Sequence, residues 1–159
     1  MDIKMEVEGK KFSYRSSCII KDKEHKHIIV NNMRIIKDHE AFLLPGGRLN
    51  ILENSYDAIV REIEEELGIK LDYKLISIQE NIANNIKFHM LEFVFYAEVD
   101  SFDAIKTLDD GWDKFKIIDI ENLDNYDIRP KSVKKLIKQK TYDTITHDIN
   151  YDWAQEGII

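Results

Sequence analysis

One cysteine, two prolines and no apolar run long enough to cross a bilayer stand in this 159-residue chain. Each scarcity removes a class of protein. A lone Cys18 leaves no disulfide framework and no thiolate cluster for zinc, and is expected to be a small buried residue in a strand. Pro45 and Pro130 read as punctuation, and no Pro/Gly/Ser-rich linker, internal repeat or low-complexity tract divides the sequence. The longest apolar stretches, such as Phe93 to Ala97, fall far short of the roughly 20 residues of a membrane helix. The amino terminus, MDIKMEVEGKK, is charged with no apolar stretch behind it, so a cytoplasmic protein with no membrane partner is expected. Basic residues are also sparse in one respect: five arginines stand against eighteen lysines, in a chain of net charge −7. That charge and the scatter of the lysines argue against an extended nucleic-acid surface, which needs clustered cations to displace counterions.

What is present suits a folded domain. Hydrophobic residues are 43% and charged residues 33%, far from the composition of disorder, and the length fits one domain over residues 1–159. β-Branched and aromatic residues predict strands over Phe12 to Ile20 and His27 to Asn31, an antiparallel pair joined across KDKEHK. A shorter strand over Ala41 to Leu44 runs into Pro45-Gly46-Gly47, where glycine permits backbone approaches that other residues resist. SYDAIVREIEEEL predicts a helix over Ser55 to Leu67, with Ser55 as N-cap, Asp57 in the first turn and Gly68 at its end. Tyr56, Ile59, Ile63 and Leu67 share one face and are expected to be buried. Strands follow over Lys74 to Gln79 and Phe88 to Val99, with ENIANNIK as the loop between them, and another over Phe115 to Asp119. A second helix is expected over Arg129 to Lys138, starting from Ser132 or Asp127, with Val133, Leu136 and Ile137 as its apolar stripe. Strands and helices in this order give the α/β class, a mixed sheet between helices. The last twenty residues carry no pattern that assigns them.

Four carboxylates, Glu62, Glu64, Glu65 and Glu66, crowd the carboxyl-terminal half of the first helix, where the helix dipole disfavours negative charge. Glu62, Glu65 and Glu66 fall at i, i+3 and i+4 and converge on one patch, while Glu64 points away. Such a set suits magnesium, which prefers oxygen ligands, retained waters and substrate phosphates. Most glutamate-rich helices are solvated faces, and the wider spacing decides the matter. From Gly47, GRLNILENSYDAIVREIEEELGI places Glu53 and the run Arg61 to Ile69 at fixed intervals after Leu44-Pro45-Gly46. In this it resembles the Nudix box of the Nudix hydrolases at every fixed position, including the aliphatic Ile63 and Ile69.

The resemblance implies an α/β/α sandwich over about residues 5–140, with about 141–159 as a tail. It implies that Glu62, Glu65 and Glu66 bind Mg2+, with Mn2+ able to substitute, and that the carbonyl of Gly47 joins them. Arg61 would orient the acidic cluster through a salt bridge to Glu53, and Glu65 or Glu62 would act as general base. The implied reaction is magnesium-dependent hydrolysis of a diphosphate bond in a nucleoside diphosphate linked to another moiety, such as a nucleoside triphosphate or ADP-ribose. A non-catalytic Nudix-like regulator that binds such a ligand is the alternative, opposed by the complete glutamate set. A prenyl diphosphate isomerase is more remote, since no additional cysteine and glutamate motif supports it. A homodimer is compatible with the resemblance.

Several residues outside the acidic run are candidates too. Glu92 alternates with Phe88, Met90, Val94 and Tyr96, which puts a carboxylate on an apolar face and demands a partner; an extra base or metal ligand competes with a salt-bridged position. His89 is either structural or a substrate contact. Phe12, Tyr14, Phe42, Phe88 and Trp112 are ring-stacking candidates, although aromatics are usually core. Arg34 and Arg48 could grip phosphates through paired N–H donors, with the backbone of Gly46 beside them.

Overall fold

The computed structural model describes residues 2–33, 39–105, 114–151 and 153. Arg34 and Trp112 lie outside them. The frame is a curled mixed sheet whose long strand β2 (Lys10–Asp22) runs parallel to β7 (Phe88–Val99), from Lys11 opposite Phe88 to Asp22 opposite Val99. Beyond β7 come β6 (Lys74–Ala83), antiparallel, and β10 (Thr146–Tyr151), parallel to β6. On the other side of β2 the order is β3 (His27–Asn32), β4 (Ala41–Leu43) and β9 (Asp127–Ile128). β1 (Lys4–Val7) and β5 (Gly46–Arg48) also pair with β2, and β8 (Phe115–Asp119) pairs with β3.

Two-residue periodicity sends alternate side chains to opposite faces of this sheet, and each face meets one helix. Ile19, Ile28, Val30 and Val94 pack with Val133, Leu136 and Ile137 of α2 (Ser132–Lys138). Their neighbours in sequence, Cys18, Ile20, Ile29 and Phe95, pack with Ile59, Ile63 and Leu67 of α1 (Ser55–Leu67). The result is an α/β/α arrangement with a core on each side of the sheet. Each fully buried Ile or Leu of α1 contributes about 1.5–3 kcal/mol by leaving water, which fixes the helix against the sheet. Among the described residues no helix is long and apolar enough to cross a membrane.

Three local expectations need correction. Asn54, not Ser55, caps α1: its Oδ1 accepts the Asp57 N–H at 2.8 Å, while the Ser55 carbonyl accepts Ser16 Oγ at 2.8 Å. Tyr56 is 45% exposed, because it sits in the first turn at the margin of the core, edge-on to Tyr73 and Phe95. The second helix does not extend over Arg129 to Lys131 but begins at Ser132, one of the two starts expected. Arg129 precedes a proline, which disfavours helical backbone there.

The larger difference concerns the polar stretch after Gln79. β6 continues to Ala83, and of ENIANNIK only Asn84–Ile86 forms a turn of 3-10 helix. Its inward residues are polar: Ser77, Gln79 and Asn81 are fully buried. The tail supplies their partners. Asn150 Nδ2 donates to Gln79 Oε1 and Asn81 Oδ1, each at 2.9 Å, and Gln79 Nε2 donates to Asp148 Oδ2 at 2.8 Å. Thr146 Oγ1 donates to Ser77 Oγ at 2.8 Å, and Ser132 Oγ donates to Gln79 Oε1 at 2.7 Å, tying α2 to the same layer. Because stranded polar groups in a sealed layer are costly, Asn150→Leu is expected to lower stability by about 1–3 kcal/mol. A urea unfolding curve checks this, with the midpoint falling and the slope unchanged.

Candidate functional site

Gly46 and Gly47 pair with Ser17 and Ser16 of β2 and are pressed between that strand and α1. Gly46 has φ +148°, and a Cβ there would collide with the Ser16 carbonyl oxygen and the Ser17 Cα. A Cβ on Gly47 would instead collide with the Glu62 carboxylate. Gly46 is therefore pressed against strand backbone that cannot yield, and Gly47 against the Glu62 carboxylate, which a side chain there would displace.

Arg61 holds the acidic helix to the preceding loop. Its Nε and Nη2 donate to the two oxygens of Glu53, both at 2.8 Å, and Nη2 also reaches the Arg48 carbonyl at 3.1 Å. Nη1 donates to Glu62 Oε1 at 2.7 Å and to Glu65 Oε2 at 3.4 Å. Glu53 also accepts the Asn50 N–H, and its carboxyl is held below the usual range chiefly by the Arg61 hydrogen bonds. The same partnership raises the already high pKa of Arg61, so both charges are permanent near neutral pH.

The four glutamates separate by environment. Glu62 and Glu66 are mostly enclosed, with 14% and 12% of their side chains exposed, while Glu65 at 59% occupies the rim. Glu64 turns outward toward Lys70, 3.6 Å away. Burial pushes the Glu66 carboxyl up to about 7; Arg15 and Lys114 oppose that rise, Glu62 adds to it, and the Gly46 N–H hydrogen bond opposes it. Glu66 Oε2 is buried with no hydrogen-bond partner. Among the described residues no three ligating side chains are gathered into a closed cage. Glu62 and Glu65 each turn an oxygen to Arg61 instead. An orphaned carboxylate oxygen, a second carboxylate beside it and a loop stripped of side chains still fit a hard cation that keeps waters of its own.

The shift at Glu66 has a measurable consequence. Its folded pKa of about 7 exceeds the ordinary 4.5, so the folded chain binds more protons between those values. Stability of the metal-free protein should fall as pH rises through that window, by about 3 kcal/mol from this group. A cation held by the ionised carboxylate would offset the loss. The rise in melting temperature on adding Mg2+ should therefore be larger at pH 8 than at pH 5, and Glu66→Gln should flatten the difference in a thermal-shift titration.

The remaining candidates are dispersed. Glu92 is 2% exposed; Asn81 Nδ2 donates to its Oε2 at 3.0 Å, and Arg15 Nε lies 3.5 Å from its Oε1. Arg48 lies opposite Arg15 in the β2–β5 pair. His89 stands edge-on to Phe12, which is edge-on to Tyr14; Phe12 and His89 border a cavity of about 450 Å³ with Met5, Val7 and Lys10. Phe42 is core, packed on Tyr126, and Phe88 packs on Trp153 of the tail. Arg15 is a residue the sequence reading passed over. Its signal was present: along FSYRSSCII it shares the parity of Ile19 and so puts a charge on an inward face, but its register against Glu92 and the glycine loop belongs to the sheet.

A mixed sheet between two helices, with a glycine loop pressed on an acidic helix, defines a class of α/β proteins with known members. The family model of the NUDIX domain matches residues 12–139, and the chain belongs to this family of hydrolases, which generally use a divalent metal. Among solved structures, the MutT protein of Bacillus halodurans is 18% identical, with a TM-score of 0.66, over 91% of this chain and 95% of that one. A NUDIX hydrolase of Nitrosomonas europaea is 20% identical, with a TM-score of 0.63, over 79% of this chain and 86% of that one. The MutT NUDIX hydrolase of Burkholderia pseudomallei is 21% identical, with a TM-score of 0.56, over 82% and 98%. At these identities the likeness is one of fold. No curated protein matches the chain in sequence.

Proposed function

We propose that this protein hydrolyses a diphosphate bond in a nucleoside diphosphate linked to a further group, such as a nucleoside triphosphate or ADP-ribose, with magnesium as cofactor. The observation that carries this reading is the enclosed pair Glu62 and Glu66 against the Gly46-Gly47 loop, with Glu66 Oε2 left unpartnered. Glu62 and Glu66, with the Gly47 carbonyl, would hold the ion, and Glu65 would flank it at the rim. Magnesium bound there supplies charge neutralisation of the diphosphate and acidifies a coordinated water.

The chain's own residues have separate tasks. Arg61, locked by Glu53, keeps Glu62 and Glu65 on the reactive side of the helix. Glu65, the exposed carboxylate, accepts the proton of the attacking water as its oxygen bonds to phosphorus and the bridging P–O bond breaks. The Gly46 and Gly47 backbone brings the loop close enough to share the substrate's phosphates with the helix. Purified protein incubated with Mg2+ and nucleoside triphosphates, ADP-ribose, NADH and diadenosine polyphosphates, with products separated by chromatography, tests the reading. Cleavage at a P–O–P bridge in at least one of them is expected; tight binding with no turnover on any would replace the enzyme by a ligand-binding regulator.

A further inference from the structure

We propose that Arg15 is a contact for the substrate's diphosphate, presented by Glu92, which acts as a positioning residue and not as a metal ligand. This rests on the hydrolase reading above. Arg15 lies in β2 opposite Arg48 of β5 on one side and Glu92 of β7 on the other, so the glycine-loop strand and β7 flank it. Its Nη2 donates to the Leu44 carbonyl at 2.8 Å, immediately before Pro45-Gly46-Gly47, and its Nε faces Glu92 Oε1 at 3.5 Å without completing a hydrogen bond. Nη1 has no partner among the described residues, and 12% of the side chain remains open.

The electrostatics give this arrangement its purpose. Ser16, next to Arg15 in β2, pairs with Gly47, whose Cβ position meets Glu62, and Arg15 itself holds the carbonyl just before that loop, so its guanidinium lies beside the loop that borders the acidic helix. Arg61 cannot serve there, because its nitrogens are committed to Glu53, Glu62, Glu65 and a carbonyl. A buried ion pair with an incomplete hydrogen bond is a poor source of stability, since two apolar side chains would pack as well without the desolvation cost. A guanidinium with N–H groups to spare, beside carboxylates suited to a cation, matches a phosphate chain, whose oxygens accept paired donors. Glu92 keeps that guanidinium in place: one oxygen faces Arg15, and Asn81 holds the other.

The test separates diphosphate binding from metal binding. Methylenediphosphonate, whose P–C–P bridge resists hydrolysis, is titrated calorimetrically with and without Mn2+, and Mn2+ is titrated alone, on the wild type, Arg15→Gln, Arg15→Lys, Glu92→Gln and the Arg15→Gln/Glu92→Gln pair. The double variant removes both charges together, so no buried charge is stranded and the fold is expected to hold. Loss of Arg15 is expected to weaken diphosphonate binding by about tenfold or more, with partial rescue by lysine, and to leave Mn2+ binding within about threefold. Glu92→Gln should weaken diphosphonate binding on its own but add nothing to Arg15→Gln. An unchanged diphosphonate Kd in Arg15→Gln, or a parallel loss of Mn2+ affinity, overturns the assignment of Arg15; weaker Mn2+ binding in Glu92→Gln makes Glu92 a ligand. A wild type that binds no Mn2+ overturns the metal-hydrolase reading instead, and the metal-free diphosphonate titration then still decides the role of Arg15.

Discussion

Glu66→Gln should lower turnover of a diphosphate substrate by at least about a hundredfold, the scale of losing a group that acts only in the reaction. Its carboxylate is enclosed and has an oxygen that no protein donor satisfies. The amide keeps the shape but removes the charge, so Mg2+ affinity should fall with turnover. Glu65→Gln should reduce turnover to a similar degree while leaving metal affinity nearer the wild-type value, because Glu65 is exposed at the rim. Glu64 provides the internal comparison: same helix, same chemistry, opposite direction, facing Lys70. Its replacement by Gln should change turnover by less than about threefold. Steady-state kinetics across a magnesium titration separates the three, and equal losses at all of them would remove the assignment of the reactive face.

The second large effect is on folding. Gly46→Ala is expected to destabilise the protein by about 3 kcal/mol or more, from a backbone angle that a side chain resists and a clash with strand backbone that cannot swing aside. Gly47→Ala is the instructive neighbour. Its methyl would meet only the end of Glu62, which can move, so stability should fall by about 1 kcal/mol while turnover collapses with the displaced carboxylate. Denaturation curves and kinetics on both variants check the contrast, and equal stability losses would contradict it.

Much of this is legible in the sequence alone, for a physical reason. The helix from Ser55 to Leu67 has its apolar residues at helical spacing and its end at Gly68, so local periodicity states both the element and the face it buries. The pairing of Arg61 with Glu53, eight positions apart, is implied by the resemblance to the Nudix box. Legibility failed where the partner lies far away in sequence. β6 past Gln79 reads as a polar loop because its inward side there carries Asn81, in line with Ser77 and Gln79; the burial of these polar groups is tolerable only beside Asn150 and Asp148 of the tail. A strand whose inside is polar has no signature until its neighbour is known. Arg15 fails in the same way, since its meaning depends on Glu92 and Leu44, which are 77 and 29 positions away. Asn54 and Ser55 are both good caps, and only the hydrogen bond to Asp57 separates them.

The enclosed glutamates and their loop are proposed to cleave a diphosphate bridge with magnesium. The most direct measurement follows a nucleoside triphosphate and ADP-ribose by 31P NMR, with wild-type protein and Glu66→Gln side by side, in Mg2+ and in excess chelator. Loss of a diphosphate resonance with wild type and Mg2+, and its persistence in the other three arms, is the predicted result. Cleavage at a rate near the wild-type one under chelation or in Glu66→Gln would contradict that proposal.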